Sequence, residues 1–434
     1  MKSTLILLLS ATVALAGFTP NVRIDRGNVC TEAAITVGPS LGQTQPLYVA
    51  IADGSNTVFQ KSTDAGTTWL ADNQVVCQGG TPDVTTDSDG NVYIVCIAAY
   101  HVYCARSTDG GATWSSPVKV DDNDTTFGVW SARVAADTAG HLFCAWNDRR
   151  SGAYHIWSSV STDRGTTWSQ NVLVDDDTTN QDCARADVFV QPETNQYLVA
   201  ATAPYHFPRY LAAVSYLYRS TDMGQTFQPG VRLDTFDVTS EPHVVADAQH
   251  VICDYSEGRI TEARTLYTQP DTWGGPHFVS WSYYNGTKLA ISADGRVHTA
   301  LLSNDTICYL IYYAYSSDHG ASWSDRELVN DDTTEGKWGP DIAADSAGNV
   351  YVVWQDSRNG RDEIWFSTRN PAGIADSQEQ RAVGRELRPT VCRRLPAGGV
   401  AFDAMGRRAL NPRPGIYFVR AKALARPLKV MLVE

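Results

Sequence analysis

The sequence predicts an all-β chain: a seven-bladed β-propeller with its ring closed by an N-terminal strand, followed by a small C-terminal β segment. Three observations predict it. Five copies of one turn motif recur along the chain. Apolar runs bounded by Asp/Gly turns precede the copies and bring the count of units to seven. A short segment near the start matches a strand that the seventh unit lacks.

The turn motif is Ser-x-Asp-x-Gly-x-(Thr/Ser)-(Trp/Phe), at residues 62–69, 107–114, 161–168, 220–227 and 316–323. A short Asp side chain can bond nearby backbone amides, Gly supplies a positive φ, and the aromatic pins the turn to its blade. Successive copies start 45, 54, 59 and 96 residues apart, so the last interval holds two units.

The second repeated element is clearest at 82–95, 133–146 and 341–354, with weaker copies starting near Ala34, Asp187, His243 and Lys288. Each unit then reads as an inner strand, an Asp/Gly turn, a second strand, a loop, a third strand, the turn motif and an outer strand. Uninterrupted apolar runs suit strands packed on both faces between neighbouring blades. In unit five the motif has decayed to Tyr267-Thr268-Gln269-Pro270-Asp271-Thr272-Trp273, and in unit seven it is lost at 367–371. The missing outer strand has a donor in Asn21-Val22-Arg23-Ile24-Asp25, which matches Asn171-Val172-Leu173-Val174-Asp175.

These turns are Asp boxes, and residues 20–370 resemble the bacterial neuraminidase repeat propellers of the sialidase superfamily. The resemblance bears on fold more than on activity. It implies that ligands bind in the central depression, on the face carrying the outer-to-inner connections and the loops between second and third strands. Aligning the units places Asp83, Arg133, Asp187, His243, Lys288 and Asp341 at equivalent inner-strand positions, a polar ring that either recognises a sugar or solvates a pore with mutual ion pairs.

Composition sets further limits. The 434 residues are 43% hydrophobic and 19% charged with net charge −13, which excludes a disordered chain. Residues 381–434 hold twelve basic and three acidic residues, a balance of +9, whereas residues 1–380 hold 23 basic and 45 acidic, a balance of −22. An acidic body is a poor nucleic-acid binder. Residues 1–16 read as a cleaved signal peptide, with Lys2 before an apolar run too short to span a bilayer and a small-x-small site at Ala14-Leu15-Ala16. The expected division is signal peptide 1–16, propeller 17–375 and C-terminal segment 376–434, in a secreted or cell-surface monomer without a transmembrane segment. The nine cysteines form no metal-ligand spacing; most read as small buried strand residues, and Cys96 and Cys104, flanking a hairpin, are placed to bridge.

Acidic loops at 121–126, 175–179 and 330–334 are calcium candidates by their oxygen ligands, although Asp-rich turns that cap backbone amides are commoner. No other cofactor is expected. The loops Trp146-Asn147-Asp148-Arg149-Arg150-Ser151-Gly152 and Trp354-Gln355-Asp356-Ser357-Arg358-Asn359-Gly360 share Trp-x-Asp-x-Arg-x-Gly. They offer Arg149 and Arg358 as ligand contacts, but recurrence favours a structural tie.

If the resemblance extended to sialidase activity, it would require three arginines for the substrate carboxylate, a Tyr nucleophile with a Glu partner, and an Asp acid/base. The family's aromatic-Arg-Ile-Pro motif is reduced here to Val22-Arg23-Ile24-Asp25. Glu241-Pro242-His243 followed by Tyr255-Ser256-Glu257-Gly258-Arg259 is a better partial match, so the catalytic candidates are Glu241, Tyr255, Arg259 and Arg209. The proline recurs at Pro82 and Pro340 and is partly architectural. A strongly acidic body repels an anionic sugar unless arginines dominate locally. The favoured reading is glycan or protein recognition on the central face without catalysis, with an extracellular glycan or glycoprotein as partner; the alternative is an exo-α-sialidase or another glycoside hydrolase or lyase.

The tail, with Arg413-Pro414-Gly415-Ile416-Tyr417-Phe418 and a Lys429-Val430 terminus, resembles the C-terminal sorting domain of the type IX (Por) secretion pathway. The alternative is a small β appendage.

Overall fold

The computed structural model describes residues 17–370, apart from 28, 41–43, 125–127, 177–182, 193, 208–209, 235–238, 258–259, 269–270, 282–286 and 304–307, together with short strands between 390 and 432. The signal segment 1–16, Arg209, Arg259 and the ends of two acidic loops lie outside the described residues. The chain divides into two compact units, Met1–Gly373 and Ile374–Glu434.

The first unit contains seven antiparallel sheets in chain order. Their innermost strands are Cys30–Val37, Gly80–Thr86, Val129–Ala136, Ala184–Gln191, Thr239–Ala246, Thr287–Ile291 and Lys337–Ala344, for blades one to seven. Each packs against its two neighbours, and the seventh packs against the first, so the seven form a closed ring. The all-β, seven-bladed propeller read from the sequence is the fold of this unit.

The second strands explain the apolar runs: every residue of Leu142–Asp148 and of Val297–Ser303 is buried, because both faces of the blade meet a neighbour. Apolar clusters at the seams are built from strands of adjacent blades, as where Phe143 and Tyr197 stack at 4.8 Å between blades three and four.

The turn motif has one geometry. In the third blade Ser161 Oγ accepts from Gly165 N at 2.7 Å, while Asp163 Oδ1 accepts from Thr167 N at 2.8 Å and Asp163 Oδ2 from the Thr167 hydroxyl at 2.7 Å. The motif glycine has two reasons to be glycine. Gly66 adopts φ +87°, and a Cβ there would lie 2.2 Å from the Phe366 ring of the preceding blade. The motif tryptophans meet the same neighbour, as Trp69 does edge-on to Phe366 at 5.0 Å.

Ring closure is as expected. Val22–Arg23 pairs with Glu363–Arg369, giving blade seven its outer strand. Asp25 Oδ2 accepts from Ile364 N at 2.8 Å, as Asp175 Oδ2 does from Ile156 N at 2.6 Å in blade three. In blade five, either side of residues 269–270, Thr268 pairs with Asp271, and a further strand, His277–Trp281, pairs with Ile260–Thr268.

One expectation is corrected. Cys96 is bonded to Cys77 of blade one, not to Cys104, which is a free buried thiol. The register explains this: Cys96 lies opposite Tyr103 and Cys104 opposite Val95, so the two cysteines point to opposite faces of their sheet.

In the second unit, Thr390–Cys392, Leu428–Leu432, Gly415–Arg420, Val400–Phe402 and Arg408–Ala409 form one sheet in that order.

Candidate ligand-binding face

The register confirms the equivalence of the ring positions. Asp83, Arg133, Asp187, His243, Lys288 and Asp341 lie opposite Val95, Ala145, Ala200, Asp254, Ala300 and Val353, with Ala34 opposite Ala50 in blade one. The three aspartates share one task. Asp83 Oδ2 accepts from Val134 N at 2.8 Å, Asp187 Oδ2 from Val244 N at 3.1 Å and Asp341 Oδ2 from Ile35 N at 2.8 Å. Each clips the inner strand of its blade to that of the next.

The intervening basic residues share the charge of these clips. Lys288 Nζ lies 3.3 Å from Asp187 Oδ1. Burial would raise the Asp187 carboxyl, but Lys288, His243 and Arg133 outweigh it and hold it below the usual range. At Asp83 burial wins over Arg133 and Lys288, and the carboxyl is pushed up to about 6. Asp341 is raised as well, again chiefly by burial. Arg133 feels Asp83, Asp187, Asp341 and Glu32 together.

Blade five departs from the others. Where six blades place Val or Ala opposite the ring residue, it places Asp254, fully buried. Asp254 Oδ1 lies 3.1 Å from both the backbone nitrogen and Nδ1 of His243, and the same Nδ1 is 3.1 Å from Thr287 Oγ1. Asp254 Oδ2 is buried without a hydrogen-bond partner among the described residues. A buried carboxylate at a position otherwise filled by Ala or Val is costly, so it is unexpected from packing alone.

Toward the loops, the inner strands share a bulge. Two residues before the ring position, Thr81, Ser131, Arg185, Glu241 and Gly339 all have positive φ, between 37° and 60°. Four are not glycine, and strain of this kind collects at functional sites. Arg185 and Glu241 form an ion pair across blades four and five. One residue further out stand Trp130 and Trp338, 49% and 42% exposed, in blades three and seven. Trp130 has the Arg185 guanidinium 5.7 Å from its ring centroid and Tyr154 at 6.5 Å, while Trp338 lies 4.4 Å from Tyr309.

The remaining candidates separate clearly. Tyr255 is fully buried in the apolar seam between blades four and five, its hydroxyl donating to Glu262 Oε2 at 3.2 Å, and burial drives its pKa far up. At 0% exposure its hydroxyl is closed to a substrate. Glu241 is on the central face, joined to Arg185 rather than to a tyrosine. Arg358 is locked into its loop by Asp356, Asp331 and Asn21, with its guanidinium 3.9 Å from the Trp365 ring centroid. Its counterpart in blade three is Arg150, held by Asp148, Asp122, Asn171 and Trp157. Arg149 is the exposed neighbour, donating to Gly152 O at 2.8 Å and lying 5.6 Å from Tyr154.

The acidic loops spend their first residues on backbone. Asp121 Oδ2 accepts from Val102 N at 2.8 Å, and Asn330 Oδ1 accepts from Ile311 N at 2.7 Å, the role Asp175 plays in blade three. These groups cap third strands.

Sequence reasoning missed Trp130, Trp338, Arg185 and Asp254. A signal for the tryptophans was present: Trp130 precedes Arg133, and Trp338 precedes Asp341, by the same three residues.

No protein-family model matches the sequence, and no curated protein is significantly similar to it. Among solved structures it is similar to a protein of unknown function from Dyadobacter fermentans, with 14% identity and TM-score 0.51 over 82% of this chain and 100% of that one. It is similar to an α-L-arabinofuranosidase of Fusarium graminearum in complex with an iminosugar inhibitor, at 13% and 0.51 over 82% and 98%. It is also similar to a GH74 enzyme of Niastella koreensis, at 16% and 0.51 over 95% and 61%. At such identities the likeness shows the fold, one it has in common with glycoside hydrolases.

Proposed function

We propose that this propeller recognises a neutral extracellular glycan on the face that bears Trp130 and Trp338. The observation that carries the reading is this pair of exposed indoles on the rim, above a ring of fixed polar groups. Sugar rings present C–H faces to aromatic surfaces and hydroxyls to charged partners, and binding sites combine the two. The charge of the face favours a neutral ligand. Glu32, Asp83, Asp187, Glu241, Asp254 and Asp341 outnumber Arg133, Arg185 and Lys288, and the arginines already have carboxylate neighbours.

A second reading, glycoside hydrolysis, is favoured by Asp83. A carboxyl held at about 6 by burial has the character of a general acid. Incubating the protein with neutral oligosaccharides that it retains on a glycan array separates the two: binding without new reducing ends supports recognition, whereas turnover abolished by Asp83→Asn supports hydrolysis.

For the C-terminal unit we propose the sorting role that its sequence resemblance implies. Deleting 385–434 should then trap the protein before release, and unaffected export would refute the idea.

A further inference from the structure

On the opposite face, at the seam between blades five and six, the geometry points to a site for a single divalent zinc-like ion, formed by Asp247, His250 and His319. The three come from two repeated turns. Asp247 and His250 close the turn after the inner strand of blade five, where Asp247 N donates to His250 O at 3.0 Å. His319 occupies the left-handed position of the box in blade six, at φ +56°. One donor atom from each residue lies within 4.8 Å of the others.

The repeats supply the comparison that makes this cluster unusual. The turn aspartate normally takes one side chain of its own turn: Asp87 takes Asn91, and Asp345 takes Asn349, each at 2.7 Å. The box residue equivalent to His319 is Ala65, Gly110, Arg164 or Met223 in the other copies. That position reaches the preceding blade, since Arg164 meets Asp89 across blades three and two at 2.5 Å. The turn of blade three also brings a histidine, His141, to its aspartate, but among the described residues only the five–six seam brings a metal-ligating side chain in the turn and one in the box to the same carboxylate.

Asp247 Oδ1 is 3.0 Å from His250 Nδ1, and Asp247 Oδ2 is 3.1 Å from His319 Nδ1. The His319 nitrogen is buried there without hydrogen-bonding geometry to any described partner. The two imidazoles stack at 3.9 Å and 19°, presenting two nitrogens to one carboxyl group. Separations of about 3 Å between nitrogen and oxygen suit the edges of a tetrahedron with bonds of about 2 Å. Two imidazoles and one carboxylate form a borderline donor set that favours zinc over calcium or magnesium. The side chains of Asp247 and His319 are 23% and 36% exposed, so water can fill the fourth position. Metal ligation needs neutral imidazoles and an ionised carboxylate, so binding weakens in acid.

The test uses tag-free full chain stripped with a chelator, titrated with zinc alone, with cobalt as a spectroscopic substitute. One equivalent of zinc should bind at neutral pH, and cobalt should give a tetrahedral visible spectrum. His319→Ala installs the residue that box one carries at Ala65, and His250→Asn installs the residue of Asn91 and Asn349, so both should fold. Each should weaken zinc binding by more than about 100-fold. Cys183→Ser, in the buried group of His155, Asp175 and Cys183, is the control for the other ligand cluster among the described residues and should leave binding unchanged. Failure of wild type to bind, retention of affinity in either histidine variant, or loss in Cys183→Ser would each overturn the assignment.

Discussion

Asp83 Oδ2 receives the backbone amide of Val134 at 2.8 Å, and through that one bond blade two holds the inner strand of blade three. The same clip joins blade four to five and blade seven to one. From blade two to blade five acidic residues at the ring position alternate with Arg133 and His243; Lys288 in blade six interrupts the alternation before Asp341 in blade seven, and Ala34 fills the position in blade one. The ring is thus built into the fold and is also the floor of the proposed binding face.

Asp83 should give the protein a measurable acid-side signature. Its folded-state carboxyl titrates near 6, above the usual aspartate value, so the folded state holds an extra proton between about 4 and 6. The stability contributed by that proton is present below about 4 and lost as pH rises through 6. Asp83→Asn keeps an acceptor for Val134 while removing the titration. In urea unfolding, wild type should lose stability relative to the variant, on the order of 2 kcal/mol, from pH 4 to 7. Parallel curves would show that Asp83 is not raised.

The box aspartates should act with the opposite sign. Asp163 is held at about 2, first by the Thr167 hydroxyl, so its contribution is present above about 4 and disappears as pH falls toward 2. Asp163→Asn should flatten acid unfolding in that range. Ser161→Ala, which strips a buried acceptor from Gly165 N, should cost about 1–3 kcal/mol at neutral pH.

Much of this was legible because propeller blades repeat. Every copy of the box testified to the same turn, and the apolar runs at 92–95, 142–146 and 350–354 testified to strands buried on both sides. The match of 21–25 to 171–175 revealed ring closure, since Asp25 and Asp175 cap equivalent amides. What repetition cannot reveal is the single exception. Asp254 departs from six small residues only after the register is known, and the Cys77–Cys96 bond crosses between blades. The Arg185–Glu241 pair depends on a bulge with positive φ, for which neither residue type is a signal.

Closure by the N-terminal strand should carry stability. Asp25 is 1% exposed and caps Ile364 N, and Arg23 bridges it to Glu363 at 2.8 Å. Asp25→Ala should lower stability by about 2–3 kcal/mol in denaturant unfolding. Removing residues 17–25 should uncover the edge of Glu363–Arg369 and promote association, visible as light scattering on warming.

The two loop arginines should behave differently. Arg358 makes paired bonds to Asp356 and stacks on Trp365, a geometry lysine cannot reproduce. Arg358→Lys should reduce thermal stability measurably, whereas Arg149→Ala should stay within about 0.5 kcal/mol of wild type. Equal effects would show that the repeated Trp-x-Asp-x-Arg-x-Gly loop is not held by its arginine.

The most direct test of glycan recognition is calorimetric titration of the full chain with neutral oligosaccharides chosen from an array, comparing wild type with Trp130→Ala and Trp338→Ala. Both side chains are nearly half exposed, so the variants should unfold close to wild type. Each should bind about tenfold or more weakly, the equivalent of about 1.4 kcal/mol. Wild-type affinity in both variants, or no binding by the wild-type protein, would contradict the central claim.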